Sequence, residues 1–237
     1  MKSEITIEIC VDSLSSATAA INGGADRLEV CSALEDDGLT PTTCFIQEIQ
    51  AISQIPQVVM IRPRPGGFVY SDDEFGLMKQ QLLGVKAIGV QGIVSGILTA
   101  QGEVDVKRTK ELIRLAHPMQ FVFHRAFDEV EDQFIALQKL IDLGVTRVLT
   151  SGGKPTAYEG KARIRDFVQL ANNNIEIIAG SGINESNVAD LIKDTAVSQI
   201  HSSASEKIQI VDSSKFKRHT VLLKVQAIKK RIHISTE

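Results

Sequence analysis

The sequence lacks any long hydrophobic run, and none of its segments approaches the roughly 20 apolar residues that a membrane-spanning helix requires. It also has no low-complexity stretch and no linker-like run. The net charge is only −3 and the isoelectric point is about 6.0, which argues against a nucleic-acid or polyanionic partner. We therefore expect the 237 residues to form a single domain, residues 1–237, with neither a membrane nor a nucleic acid as its partner.

Cysteine is scarce, and the usual signatures of dedicated metal carriers are missing. The chain has 3 cysteines and neither a C-x-x-C motif nor a Met-rich or His-rich tract. The first ten residues, MKSEITIEIC, carry two glutamates and resemble a strand rather than a signal peptide. An odd number of cysteines without an export signal predicts reduced thiols and a cytoplasmic location.

Eight apolar strand-like segments are present, and a helix-like segment follows each of them. The predicted strands are Ile5–Cys10, Asp26–Cys31, Gln57–Arg62, Gly89–Ser95, the start of Gln120–Asp128, Arg147–Thr150, Glu176–Ala179 and Ser198–His201. Periodicity alone leaves a doubly wound sheet open, but no G-x-G-x-x-G follows the first strand. Eight βα units without a break in the middle of the chain predict an α/β protein with a closed (β/α)8 TIM barrel.

Several helix boundaries carry recognisable signals. Thr40-Pro41 is a predicted N-cap with proline in the first helical position, and Ser71 with Glu74 forms a predicted capping box. We also expect Asn184 to cap the seventh helix and the last helix to occupy roughly residues 213–230.

The stretch QFVFHRAFD ends a predicted strand with three ionisable side chains. Period-two alternation places Val122 and His124 on one face, and in parallel α/β proteins chemistry is placed at the carboxyl ends of strands. His124 is therefore a candidate general acid or base, with Asp128 as the group that orients it. An ion pair that merely fixes the strand end is the alternative.

We expect His124 to point into the barrel and to contact Glu8 or Glu29, directly or through water. In that arrangement Val122 and Met60 fill the layer beneath the histidine. The bulky Phe121 and Phe123 then face the helices.

The first two strands share the pattern Glu-x-Cys. Glu8 lies on the same face as Cys10, and Glu29 on the same face as Cys31. If these faces point inward, two carboxylates and two thiols converge near the mouth of the barrel. The carboxylates are candidate proton-transfer groups, and the two sulfurs could share a metal ion such as Cu(I). Small, inert packing cysteines are the alternative.

Other strand ends carry candidate anion-binding groups. Arginines follow the third and fifth strands, and glycine-rich turns or a histidine follow the sixth to eighth, where backbone N–H groups suit a phosphate or carboxylate. These candidates are Arg62, Arg64, Arg125, Ser151, Gly152, Gly180, Ser181, Gly182, His201 and Ser202.

These motifs together resemble the CutC family, which is named for copper homeostasis. The matching segments span about residues 4–205 and include GGADRLEVC, GLTP, MIRPR, FHRAFD, RVLTSG and GSGI leading to His201-Ser202. The resemblance implies a cytoplasmic TIM barrel, a homo-oligomer (dimer or tetramer), and copper as the bound ion. Two departures are an acidic Glu35-Asp36-Asp37 before GLTP and a basic segment after Ser205.

Two functions remain open from the sequence. The first is a copper homeostasis protein that binds Cu(I). The second is a TIM-barrel enzyme, of unknown reaction and without a metal, that acts on a small anionic or phosphorylated substrate at the mouth of the barrel.

Overall fold

The computed structural model describes residues 5–209 and 216–236. Its core is a closed parallel barrel in which each strand pairs with the next and the eighth returns to the first. The strands are β1 (Thr6–Val11), β2 (Arg27–Val30), β3 (Gln57–Met60), β4 (Gly92–Ser95), β5 (Gln120–Phe123), β6 (Arg147–Thr150), β7 (Glu176–Gly180) and β8 (Gln199–Ser202). The predicted (β/α)8 barrel is confirmed.

A helix follows each barrel strand, as predicted. The helices are α1 (Leu14–Gly23), α2 (Thr43–Ile52), α3 (Asp72–Ile88), α4 (Val106–Ala116), α5 (Gln133–Asp142), α6 (Lys161–Ala171), α7 (Val188–Thr195) and α8 (Leu222–Thr236). At the start of α3 the Ser71 hydroxyl accepts from the Glu74 N–H, and the Glu74 carboxylate accepts from the Ser71 N–H. The predicted capping box is thus present. No helix of the described residues is both long and apolar enough to span a bilayer.

Side chains alternate between the two faces of each strand and so form two apolar clusters, one outside the barrel and one inside it. Phe121 and Phe123 belong to the large cluster between the barrel and the helices. Met60 and Val122 belong to the small cluster within the barrel, to which β3–β7 contribute most of the side chains. The predicted directions of these four side chains are confirmed. The inner cluster leaves the β8–β1–β2 side of the interior to polar groups.

Two helix starts differ from the predictions. Helix α2 begins after Thr42, because the Thr40 hydroxyl instead accepts from the backbone N–H of Arg62 at 2.8 Å. Helix α7 begins only at Val188, and Asn187 rather than Asn184 is its N-cap.

The chain after the barrel also differs from the single predicted helix. An antiparallel hairpin of β9 (Ser205–Gln209) and β10 (Phe216–Thr220) precedes α8. The predicted helix start, at residue 213, lies outside the described residues. Strand β10 carries the basic pair Lys217 and Arg218, so part of the basic segment is an exposed hairpin.

Candidate functional site

A row of three charged side chains crosses the barrel interior on β2, β1 and β8. In the strand register Glu8 lies level with Arg27 on one side and His201 on the other. The Arg27 Nε lies 2.5 Å from one Glu8 oxygen, and the His201 Nδ1 lies 2.7 Å from the other. Arg27 also donates to the Gln199 side chain at 2.5 Å. Glu8 is thus a buried carboxylate with both of its oxygens engaged.

Partners, rather than burial, set the ionisation of Glu8. Burial alone would raise the pKa of Glu8, but the hydrogen bond with His201 and the charge of Arg27 outweigh it and lower this pKa to about 2. Glu8 is therefore ionised at neutral pH, and it holds the His201 ring by a charged hydrogen bond.

One row nearer the mouth, Cys10 on β1 lies level with Glu29 on β2. Burial raises the pKa of Glu29 to about 7, and neighbouring His201 and Arg27 only partly oppose this effect. The His201 Nε2 lies 3.8 Å from a Glu29 oxygen. Burial lowers the pKa of His201, but Cys10, Glu29 and Glu8 outweigh burial and raise it well above its ordinary value.

Cys10, Glu29 and His201 form a group that could hold a metal ion. One ligand atom from each residue lies within 4.8 Å of the other two. The His201 side chain remains 12% exposed, so the group is reachable from the mouth. Glu8 and Glu29 therefore face inward, which was the condition for the convergence considered from the sequence. Cys10 stands beside a carboxylate and an imidazole.

Cys31, the second predicted metal ligand, is not a member of this group. Strands β1 and β2 are offset in register, so that Cys10 lies level with Glu29. Cys31 lies two residues beyond Glu29, nearer the mouth of the barrel. The Cys31 thiol donates to the Val11 carbonyl at 3.5 Å and packs in the inner apolar cluster. Burial raises the pKa of the Cys31 thiol well above its ordinary value, which disfavours the thiolate that a metal needs.

Contrary to the prediction, His124 contacts no carboxylate among the described residues. The residue is 4% exposed, and its Nδ1 accepts from the Ala126 N–H at 3.1 Å. The centroid of its ring lies 4.7 Å from that of the Phe68 ring. Burial and the charge of Arg62 lower the pKa of His124 to about 3. The predicted contact with Glu8 or Glu29 is wrong because the facing strands place His201, not His124, beside them.

Asp128 does not orient His124 either. It lies in a 3-10 turn, Arg125–Glu129, that directs its carboxylate towards the end of β6. There it accepts from the Thr150 hydroxyl at 2.5 Å, from the Ser151 N–H at 2.9 Å and from the Gly153 N–H at 3.0 Å.

The turn after β6 is consequently filled by a carboxylate from the protein itself. The Gly152 N–H donates to the Thr150 hydroxyl. Arg125 pairs with Asp128 at 2.9 Å and donates to the Ser151 hydroxyl at 3.0 Å. The predicted anion-binding roles of Ser151, Gly152 and Arg125 are therefore corrected to a structural contact between the end of β5 and the end of β6.

The two arginines after β3 have different surroundings. Arg62 is 4% exposed, and it donates to the carbonyls of Asp36, Gly38 and Gly66. Arg64 pairs with Glu74 at 2.5 Å, and its side chain is 35% exposed. Arg64 therefore fastens its loop to α3, and a carboxylate of the protein itself occupies this predicted anion-binding guanidinium.

At the turn after β7, the predicted anion binding is tested for the hydroxyl groups but not for the glycines. The Ser181 hydroxyl donates to the Pro155 carbonyl and the Ser202 hydroxyl to the Ile183 carbonyl, so both hydroxyls hold loops together. Anion binding at Gly180 and Gly182 stays a prediction.

Comparison with known proteins identifies the family. The CutC family model matches residues 5–206. A CutC relative from Glaesserella parasuis serovar 5 (strain SH0165) is 46% identical over 208 residues, 87% of this chain and 86% of that protein. The chain belongs to the CutC family.

Another CutC relative, from Vibrio vulnificus (strain YJ016), is 45% identical over 83% of this chain and 80% of its own length. A crystal structure from Streptococcus agalactiae, of CutC described as a candidate copper homeostasis protein, has a TM-score of 0.80 and 32% identity over 84% of this chain and 98% of that one. Thiamine phosphate pyrophosphorylase from Pyrococcus furiosus, with a TM-score of 0.64 and 13% identity over 100% of this chain and 99% of that one, shares only the fold.

Sequence reasoning missed Arg27, a central member of the polar group in this CutC chain. Arg27 stands two residues before Glu29, so the period-two rule would have placed it on the inner face. Gln199 stands in the same relation to His201. The signal available in the sequence was the two-residue spacing between polar side chains on the same strand, which places them on the same face.

Proposed function

We propose that this CutC-family chain binds Cu(I) through Cys10 and His201, with Glu29 beside the ion. The observation that carries the proposal is the clustering of one ligand atom from each of these residues within 4.8 Å. Thiolate and imidazole are the protein ligands that suit Cu(I). The description of the Streptococcus agalactiae relative as a candidate copper homeostasis protein is consistent with this choice of metal.

The hydrogen bond from His201 to Glu8 supports metal binding at the other ring nitrogen. When Nδ1–H donates to a carboxylate, Nε2 is left to act as a ligand, a common arrangement for metal-binding histidines. Arg27 holds Glu8 in turn. Because the pKa of His201 is raised, the ion must displace a proton from this ring, and affinity should increase with pH.

The protonation state of the Glu29 carboxyl group favours a soft metal ion over a hard one. With a pKa of about 7, this carboxyl group is partly protonated at neutral pH. Hard divalent ions such as Mg²⁺ and Ca²⁺ take several ionised oxygen ligands, whereas a thiolate and an imidazole provide soft donors. The donor set therefore fits Cu(I) better than those cations.

Competition for Cu(I) with a chromogenic chelator, under anaerobic and reducing conditions, tests the proposal. Cys10→Ser and His201→Gln should each weaken binding at least about tenfold, since each removes a ligand. Cys44→Ser is the matched control, because Cys44 is an exposed thiol on α2. Equal competition by wild-type protein and Cys10→Ser would contradict the site.

Cys31→Ser separates the present site from the two-cysteine site expected from the sequence. We expect this variant to bind Cu(I) as wild type does, because Cys31 is outside the three-residue group. A loss equal to that of Cys10→Ser would restore the two-thiol site.

One observation favours the second candidate, an enzyme acting on a small anionic substrate. Glu8 and Glu29 have pKa values of about 2 and about 7, and carboxyl groups with separated pKa values are suited to acid–base chemistry. The Cu(I) competition discriminates, because an enzyme without a metal would show no binding that depends on Cys10. The cytoplasmic location and the homo-oligomer stay predictions that rest on the family resemblance.

A further inference from the structure

Arg62 is a buried cation whose described partners are all neutral. Its Nη1 donates to the Asp36 carbonyl at 2.6 Å and the Gly38 carbonyl at 3.1 Å, and its Nη2 donates to the Gly66 carbonyl at 2.8 Å. Three of the five guanidinium N–H groups are thus used. Nε is buried without a hydrogen-bond partner among the described residues. A buried charge without a counter-ion is costly, so this arrangement favours an anion.

His124 supplies a second buried donor without a partner. Because Nδ1 accepts from the Ala126 N–H, it carries no proton, and the neutral ring has its hydrogen on Nε2. Nε2 is buried and has no hydrogen-bond partner among the described residues. The low pKa of His124, about 3, keeps the ring a neutral donor.

Arg62 and His124 stand at the same level of the barrel, on either side of Gly96. Two residues earlier on the same strands, Met60 and Val122 both lie level with Val94 of β4. A Cβ at Gly96 would lie 2.6 Å from the His124 ring, so the glycine makes room for the imidazole.

The Phe68 ring contacts the side chains of both Arg62 and His124. Its ring centroid lies 5.2 Å from the Arg62 guanidinium carbon and 4.7 Å from the His124 ring. The pair therefore lies in one compact corner of the mouth, and its donors belong to rigidly held side chains.

We propose that Arg62 and His124 bind the carboxylate group of a small metabolite at this corner of the barrel mouth, apart from the Cys10–His201 group. The two remaining N–H groups of Arg62 are on Nε and Nη2, and donors on adjacent guanidinium nitrogens match the two oxygens of a planar carboxylate. His124 Nε2–H adds a neutral third donor. One guanidinium charge with a neutral imidazole donor matches the single charge of a carboxylate better than the higher charge of a phosphate.

The direct test uses acetate and pyruvate as carboxylate probes, with inorganic phosphate and chloride at matched ionic strength. In protein labelled with ¹⁵N-histidine, the Nε2–H resonance of His124 should shift in a saturable manner with acetate or pyruvate, and not with chloride. This observation needs no variant, so it does not depend on whether a substituted protein folds.

Arg62→Lys keeps the charge but loses the paired donors, and it should weaken pyruvate binding at least about tenfold. Arg108→Lys is the matched control, since Arg108 also donates to a backbone carbonyl but pairs with Asp72. We expect no change in binding for the control. If Arg62→Lys fails to fold, Gly96→Ala serves instead, since it displaces the His124 ring and should also weaken binding.

Three outcomes would overturn the proposal. The His124 resonance could remain unchanged at saturating pyruvate, phosphate could shift it more strongly than either carboxylate, or Arg108→Lys could weaken binding as much as Arg62→Lys. None of these results would affect the Cu(I) competition, because the two sites share no residue.

Discussion

The two histidines at the mouth of the barrel have opposite surroundings. His201 lies between Glu8 and Glu29 and beside Cys10, and its pKa is raised. His124 lies among Phe68, Phe123 and the Arg62 charge, and its pKa is lowered to about 3. The comparison shows that position at a strand end does not define the role of a histidine. The residues on the neighbouring strands decide which protonation state is stable.

The largest expected effect is on the His201 side. Glu8→Gln removes the carboxylate that neutralises Arg27, which is only 6% exposed. The free energy of unfolding should fall by about 3–5 kcal/mol, because a buried charge is left without its partner. Chemical denaturation of the metal-free protein measures this change.

The control for Glu8→Gln is Glu111→Gln, which breaks an ion pair with Lys79. The side chains of Lys79 and Glu111 are 33% and 35% exposed, respectively. The cost of Glu111→Gln should be below about 1 kcal/mol. Equal costs for the two variants would show that the buried row does not differ energetically from a surface ion pair.

The second effect concerns the pH dependence of the His124 side. The unfolded chain takes up a proton at His124 near pH 6.5, whereas the folded chain resists protonation down to about 3. The unfolded state therefore binds more protons in this interval, and the His124 contribution to stability falls as the pH falls. From pH 6.5 to 5 the loss should total about 2 kcal/mol.

The difference in unfolding free energy between wild type and His124→Gln, followed over this interval, isolates that contribution from Glu8 and Glu29. His201→Gln, followed above pH 6.5, should differ from wild type with the opposite dependence on pH. The raised pKa of His201 gives stability that is present below pH 6.5 and is lost as the pH rises through the folded value. The same trend for both variants would contradict the contrast between the histidines.

A smaller effect is expected where β5 contacts β6. Asp128→Asn removes the charge that accepts from Thr150, Ser151 and Gly153, and it should destabilise the protein by about 1–2 kcal/mol. Asp166→Asn, whose pair with Arg165 is half exposed, is the control and should change little. Thermal unfolding measures both, and an Asp128→Asn protein as stable as wild type would refute the structural role.

The sequence was sufficient for the barrel and for the direction of most strand side chains. Apolar runs of strand length, capping signals such as Ser71 with Glu74, and period-two alternation are local properties. They predicted β1–β8 and the inward face of Met60 and Val122.

The candidate site depended on a property that is not local. The offset between β1 and β2 places Cys10 beside Glu29 instead of Cys31, and closure of the barrel brings His201 to Glu8 across 193 residues. Neither the offset nor the closing contact is encoded in the spacing of residues on one strand. For the same reason His124, on the far side of the interior, was wrongly expected to contact the carboxylates.

X-ray absorption at the copper edge of the Cu(I)-loaded protein tests the central claim most directly, because it counts the sulfur and nitrogen ligands. We predict one sulfur and one imidazole nitrogen per copper ion, with the sulfur lost in Cys10→Ser, the imidazole lost in His201→Gln, and both retained in Cys31→Ser. A shell of two sulfurs that loses one in Cys31→Ser, or a shell without imidazole in the wild type, would contradict a site built on Cys10 and His201.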